Sequence, residues 1–287
     1  MKILVLGGTG HVGARLTVRL AALGHETVAA SRTSGVDAVT GEGLGAAMAG
    51  VDVVVDVLDT VDTDVAAATA FFRGTTERVL AAEHTTGVHH HVLLSVLGAD
   101  RALANGYHAG KVAQEEAVRD GGIPFTIVRA TQFHDAVLTI ADALTSDGVV
   151  RAPGMLLQPV DVDDVVDLLT EVATAEPAYD TVDLAGPDRY RLDELLRATL
   201  AAAADGREVV TTAGLALGAD AADSLLPLGA HRTAPGPSPP PCRERTGSRS
   251  VHRARSGDLV AVLPHTSTRH VVSAPRAHVE RQDEETI

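Results

Sequence analysis

Ile3-Leu4-Val5-Leu6 runs directly into Gly7-Gly8-Thr9-Gly10-His11-Val12-Gly13, and the reading of this stretch decides the fold. Four consecutive apolar residues suit a strand covered on both faces, as in a parallel sheet. From His11 onward, Val12, Leu16, Leu20 and Leu23 fall at helical spacing, and Gly24 is the kind of residue at which a helix stops. Strand, glycine turn and helix come in immediate succession.

The glycines satisfy two spacings at once, Gly8-x-Gly10-x-x-Gly13 and Gly7-x-x-Gly10-x-x-Gly13. At a helix start, glycines permit a tight turn and close approach of backbone N–H groups, while the helix dipole favours an anion. Flanked by a strand and a helix, the pattern is the dinucleotide-binding one. Gly7, Thr9, Gly10, His11, Val12 and Gly13 are the expected cofactor contacts. The residues just past the second strand indicate which dinucleotide. An NAD site usually carries Asp or Glu there for the ribose hydroxyls. Here stand Ala30, Ser31 and Arg32, and the nearest acids are Glu26 and Asp37. Ser31 and Arg32 suit a 2′-phosphate, so NADP(H) is the expected cofactor, with NAD(H) as the alternative.

Outward from this unit the alternation continues. Residues 27–30, 51–55, 91–95 and 125–128 read as further strands, with another near 182–184. Residues 66–83, 108–119 and 134–144 read as crossover helices, and Asp193 as the N-cap of a helix over 194–204. Strands alternating with helices predict an α/β fold on a parallel, helix-covered sheet.

Composition sets bounds on function. The chain has 287 residues, 24 Lys+Arg against 38 Asp+Glu, and a net charge of −14. That balance argues against a general nucleic-acid binder, which needs clustered Lys and Arg. No apolar run reaches the length of a membrane span, and no secretory signal precedes Gly7, so a cytoplasmic protein is expected. A single cysteine, Cys242, excludes a disulfide framework and is given no role. The charge is unevenly spread: residues 1–212 hold 15 Lys+Arg and 30 Asp+Glu, while 213–287 hold 9 Arg, no Lys and 8 acids. Eight of the 13 prolines lie in that last part, and no aromatic residue comes after Tyr190. The expected division is a dinucleotide-binding domain over 1–212, including part of a substrate region, and an atypical, poorly ordered Pro/Arg-rich tail over 213–287. The abrupt change admits two origins, a native extension or an altered reading frame. Comparing the other two frames of the gene decides between them.

Tyr107-His108-Ala109-Gly110-Lys111 places Tyr and Lys four apart, on one face of a helix. Ser95 ends the preceding strand, where ligands meet parallel sheets. Together they suit carbonyl reduction: Tyr107 donates a proton to the developing alkoxide, Lys111 lowers the tyrosine pKa and bonds the nicotinamide ribose, and Ser95 holds the carbonyl oxygen.

Four stretches then carry a resemblance: residues 7–13, Leu93 to Asp100, Tyr107 to Gln114, and Ile127 to Phe133. They resemble the short-chain dehydrogenase/reductase superfamily, and within it the atypical NmrA-like, NAD(P)H-binding branch, over about residues 1–210. The resemblance implies a Rossmann-type doubly wound sheet with a small C-terminal substrate-covering part. It implies cofactor contacts at Gly7, Gly10, Gly13 and Arg32. Ser95, Tyr107 and Lys111 match the superfamily's active-site pattern, and Gln132 and Phe133 would face the nicotinamide or substrate. The implied activity is NADP(H)-dependent reduction of a small carbonyl or enone-like substrate by a monomer or homodimer. Members of the branch without a working tyrosine serve as redox sensors, which makes a non-catalytic regulator the alternative; nucleotide-sugar epimerisation is a third reading. Ala130 stands where relatives commonly have proline.

Three further features have plainer readings. In His89-His90-His91 only His89 and His91 can share a strand face, and no acid is near in sequence, so no metal site is expected. Asp161 to Asp167 reads as a capped helix start. Asp56, Asp59, Asp62 and Asp64 read as a solvated edge near the adenine side.

Overall fold

The structure is a computed structural model that describes residues 1–60 and 64–236. Asp62, Cys242 and the tail from residue 237 lie outside the described residues.

The opening strand and helix form as the pattern requires: β1 (Lys2–Leu6) and α1 (His11–Ala22). Ile3, Leu4, Val5 and Leu6 are essentially inaccessible, because both faces of the strand are covered. Around it lie β2 (Glu26–Ala30), β3 (Val53–Asp56), β4 (His90–Val96), β5 (Phe125–Ala130), β9 (Asp180–Ala185) and β12 (Arg232–Thr233). They make one seven-stranded sheet in the order β12-β9-β5-β4-β3-β1-β2, parallel at every pairing. The order reverses between β1 and β3, and ligands bind parallel sheets at such a switch point, beyond the carboxyl ends of the strands. The expected α/β Rossmann-type sheet is therefore present. Among the described residues no strand lies outside β2; residues 36–51 form a short bridge (Asp37 with Glu42) and α2 (Leu44–Ala47) instead.

Alternate side chains of the strands feed two layers. One face packs Ile3, Val5, Val92 and Val128 against Leu16 and Leu20 of α1 and Val165, Val166 and Leu169 of α6 (Val162–Thr174). The other receives α3 (Val65–Thr86) and α4 (Gly106–Asp120), with Leu4, Leu6 and Val54 meeting Val79, and Leu93 and Ile127 meeting Val118. Asp64 caps α3 and Asp161 caps α6 through their side chains.

A smaller part has its own core. It contains α5 (Val137–Ala143), α7 (Leu192–Ala202) and β7 (Val149–Pro153). Strand β7 pairs in parallel with β11 (Glu208–Thr212) and antiparallel with β6 (Thr145–Ser146). Strand β8 (Leu156–Leu157) pairs with β10 (Tyr190–Arg191). Val137, Val150, Met155, Leu157, Leu196 and Leu225 bury one another there.

Three expectations change. The packed body continues past residue 212: Leu225 and Leu226 are buried, β12 joins the main sheet, and Arg101 donates to the carbonyls of Ser224 and Leu226 at 2.9 and 2.8 Å. The shift in charge, the prolines and the missing aromatics suggested otherwise, and composition is blind to packing. The helix expected to be capped by Asp193 begins earlier, at Leu192, with Arg191 at the N-cap; Asp193 is held inside the first turn by Arg191, Arg197 and Thr211. In the 134–144 helix, His134–Ala136 is a separate 3-10 turn before α5.

Candidate active site

The glycine turn lies at the switch point. Gly7 has φ +79°, and its N–H and that of Gly8 both donate to the Ala30 carbonyl at the end of β2. A Cβ on Gly13 would stand 2.2 Å from the Gly7 carbonyl oxygen, so only glycine lets helix and turn meet this closely. Gly10 is the N-cap of α1 and supplies no side-chain acceptor, which leaves the first amides of the helix free for a ligand anion. This cradle fits a dinucleotide pyrophosphate. Thr9 sits at its exposed lip and Val12 on its buried side. His11 is drawn across the cleft: its Nε2 lies 2.6 Å from Asp135, in the turn after β5.

At the end of β2, Ser31 caps a short turn over Arg32–Ser34. The Ser31 and Thr33 hydroxyls are 2.8 Å apart, and the Arg32 guanidinium has no hydrogen bond or ion pair among the described residues. An exposed arginine beside two hydroxyls fits a 2′-phosphate. Across the cleft, the Gln132 side-chain oxygen is buried without a hydrogen-bond partner, an orphan that a carboxamide N–H would satisfy. Phe133 beside it packs on the α1/α6 core.

Asn105 caps α4, accepting from the Tyr107 N–H at 2.9 Å, and so sets Tyr107 and Lys111 on the face turned to α3. Gly110 lies between them. A Cβ there would come within 2.6 Å of the Phe72 ring, so its absence lets α3 approach. Phe72 consequently meets Tyr107 edge-on, with centroids 5.7 Å apart, and its ring lies 4.6 Å from the Lys111 Nζ. Burial, then the Asp59 carboxylate that the Tyr107 hydroxyl contacts, push the phenol well above its ordinary value. Burial pulls the Lys111 ammonium below its ordinary value, opposed by Asp56, Asp59 and Glu115. The shift of the phenol runs opposite to the lowering expected from Lys111, with burial as its first cause and Asp59 as its second. His108 is buried on the same helix, and burial lowers its pKa.

At the end of β4, Ser95 meets a carboxylate. Its hydroxyl donates to Glu115 at 2.6 Å, and Glu115 is held in turn by Arg129 and Arg119. Two more side chains escaped the sequence reading. Asp56, expected at a solvated edge, is fully buried and accepts from Gln114, and Gln114 accepts from Lys111 at 2.7 Å. The available signals were an acid ending the apolar strand Val53–Asp56 and a glutamine one turn beyond Lys111. His91 pairs with Glu83 rather than with a histidine neighbour, at 2.7 Å. Among the described residues no group of three or more His, Cys, Asp or Glu could hold a metal ion, and no helix is long and apolar enough to cross a membrane.

No protein-family model matches the chain. It is 31% identical, over 91% of its length and 90% of the other's, to the (4-alkanoyl-5-oxo-2,5-dihydrofuran-3-yl)methyl phosphate reductase of Streptomyces griseus. Solved structures share the fold at lower identity. A dTDP-4-dehydrorhamnose reductase from Clostridium acetobutylicum superposes with a TM-score of 0.60 at 14% identity, over 74% of this chain and 84% of that one. An NADPH-dependent quinone oxidoreductase from Escherichia coli gives 0.54 at 19%, over 78% and 86%. The Thermus thermophilus UDP-glucose 4-epimerase, solved with NAD, gives 0.58 at 18%, over 73% and 86%. With a free-amide glycine cradle at the switch point of its sheet and this extent of identity, the chain belongs to the family of the Streptomyces griseus reductase, an oxidoreductase family on a Rossmann-type fold.

Proposed function

We propose that the protein is an NADP(H)-dependent reductase of a small carbonyl or enone-type substrate, with Tyr107 as proton donor. The observation that carries this reading is Tyr107 and Lys111 on one face of α4, packed on Phe72 beside the switch point that also holds the glycine cradle. The cofactor, when bound, supplies the hydride. The unpaired backbone amides of His11, Val12 and Gly13 would hold its pyrophosphate, the Gly10 N–H being given to the Gly7 carbonyl at 2.8 Å. Ser31 and Arg32 would take the 2′-phosphate, and Gln132 would accept from the carboxamide. Lys111 has further N–H donors beyond its bond to Gln114, and these suit the nicotinamide ribose. Tyr107 would give its proton to the oxygen that becomes an alkoxide or enolate, its hydroxyl exchanging the Asp59 contact for the substrate. Ser95, its hydroxyl given to Glu115, orients the end of β4 rather than the substrate. The named substrate of the Streptomyces griseus relative contains an oxo-dihydrofuran with an alkanoyl group, and such a conjugated acceptor fits this chemistry.

One observation favours a second reading, a non-catalytic NAD(P)H-binding regulator: both hydroxyls of the expected site, Ser95 and Tyr107, are engaged by carboxylates. NADPH oxidation across a panel of carbonyl and enone substrates separates the two. Turnover by the wild type that drops about 100-fold or more in Tyr107→Phe, with NADPH binding kept, supports the reductase. Binding without turnover on any substrate supports the regulator.

A further inference from the structure

Lys111 is a buried cation whose nearest polar partner is neutral. Its Nζ donates to the Gln114 Oε1 at 2.7 Å, and the Gln114 Nε2 donates to the Asp56 Oδ2 at 3.1 Å. Lys111 is 2% exposed, and Gln114 and Asp56 not at all. The partners fix the amide's orientation: an ammonium only donates and a carboxylate only accepts, so Oε1 faces the lysine and Nε2 the aspartate. Gln114 is therefore specified chemically. A carboxylate in its place would stand against Asp56, and a cation against Lys111.

The glutamine separates two charges that could otherwise pair. A direct Asp56–Lys111 bridge would turn the ammonium toward the carboxylate and neutralise it. With the amide between them, Nζ is anchored through one N–H, and the Phe72 ring backs it at 4.6 Å. Asp56 is anchored as well: its Oδ1 accepts from the Leu58 N–H at 2.9 Å, within the turn that ends β3. That same turn touches the glycine cradle, since a Cβ on Gly7 would lie 3.0 Å from the Val57 carbonyl oxygen. A continuous set of contacts thus joins the pyrophosphate cradle, the β3 turn, Asp56, Gln114 and Lys111.

We propose that Asp56 and Gln114 are positioning residues for Lys111: the buried carboxylate and the amide spacer hold the ammonium so that its free N–H groups meet the nicotinamide half of the cofactor. The proposal rests on the reading of Lys111 as a nicotinamide-ribose contact.

The test compares two ligands, NADPH and 2′,5′-ADP, titrated by calorimetry against the full chain and its variants. The second ligand fills the Arg32 end but carries no nicotinamide ribose. Lys111→Met should weaken NADPH by about ten-fold, the scale of one hydrogen bond to a charged group, and leave 2′,5′-ADP unchanged. Gln114→Met, of similar volume, should reproduce that selective loss, and the isosteric Asp56→Asn should lose NADPH affinity selectively in the same direction. In the double variant Lys111→Met/Gln114→Met the two losses should not add, because the glutamine acts through the lysine. Equal weakening of both ligands by Gln114→Met and Asp56→Asn, or full additivity in the double variant, overturns the proposal while Lys111 keeps its role. Unchanged NADPH affinity in Lys111→Met overturns the reading of Lys111 itself, and the proposal with it.

Discussion

Arg129 on β5 grips Glu115 on α4 with two parallel hydrogen bonds, Nε to Oε1 at 2.7 Å and Nη2 to Oε2 at 2.6 Å. Glu115 is 1% exposed, and it also accepts from Ser95 and Arg119. Burial raises its carboxyl, but Arg129 and Ser95 outweigh that and bring the pKa below its ordinary value. One carboxylate thereby fixes the end of β4, the end of β5 and the helix that carries Tyr107.

Removing that carboxylate should be costly. Glu115→Ala leaves Arg129 without its fork partner and should destabilise by about 3–5 kcal/mol, whereas Arg129→Lys keeps the charge and should lose about 1–3 kcal/mol. Because the folded pKa of Glu115 is depressed, its stabilisation is present above the ordinary carboxylate range and fades as pH falls through the folded value. Urea denaturation at neutral and acid pH checks both. A Glu115→Ala variant as stable as wild type refutes the account.

The two histidines opening β4 have pKa values displaced in opposite directions. His90 is held down at about 4, by burial first and by His91 second, so its stabilisation is present above 6.5 and lost as pH falls toward 4. For His91, burial acts downward, but the Glu83 carboxylate at 2.7 Å and Asp56 prevail, and its pKa is raised. That contribution is complete below 6.5 and disappears as pH rises through the folded value. Thermal melts across pH should show the alkaline-side loss removed by Glu83→Gln and the acid-side loss reduced by His90→Gln. Identical pH profiles in wild type and both variants would contradict the assignment.

Gly13 and Gly45 offer a contrast of two glycines. In Gly13→Ala the new methyl meets the Gly7 carbonyl at 2.2 Å, so the turn must open; stability and NADPH binding should fall together. Gly45 lies in α2 with nothing within 4 Å of a Cβ, and Gly45→Ala should stabilise by about 0.5–1 kcal/mol. Melting temperatures and cofactor titration of the pair give the answer, and tolerance of alanine at residue 13 would sink the cradle geometry.

Arg32→Ala should weaken NADPH about ten-fold or more while leaving NADH within about two-fold, since only the former carries the phosphate the guanidinium would meet. Parallel titrations with the two cofactors measure the ratio directly. An unchanged ratio removes Arg32 from the site.

What the sequence determined by itself is what local chemistry dictates. An apolar run ending in closely spaced glycines must turn sharply into a helix, and its alternation with later strands implies the parallel sheet, β1 and α1 appearing as read. Tyr107 and Lys111 share a face because their spacing is one helical turn. The rest depended on residues far apart in the chain. Asp56 reads as a surface acid beside Asp59, yet in the fold it is fully buried and accepts from Gln114 of α4, 58 residues on. His91 has no acid close by in its strand, and α3 brings Glu83 to it. Ser95 looks free until Glu115, 20 residues away, accepts its hydroxyl proton in a hydrogen bond. Residues 213–236 look foreign by composition, but Leu225 fills the core of the small part and β12 pairs with β9. Backbone direction is set by neighbours along the chain. Which buried polar group finds which partner is set by the layers that close over it, and there only the tertiary structure decides, because a buried charge must be paired wherever the partner lies in sequence.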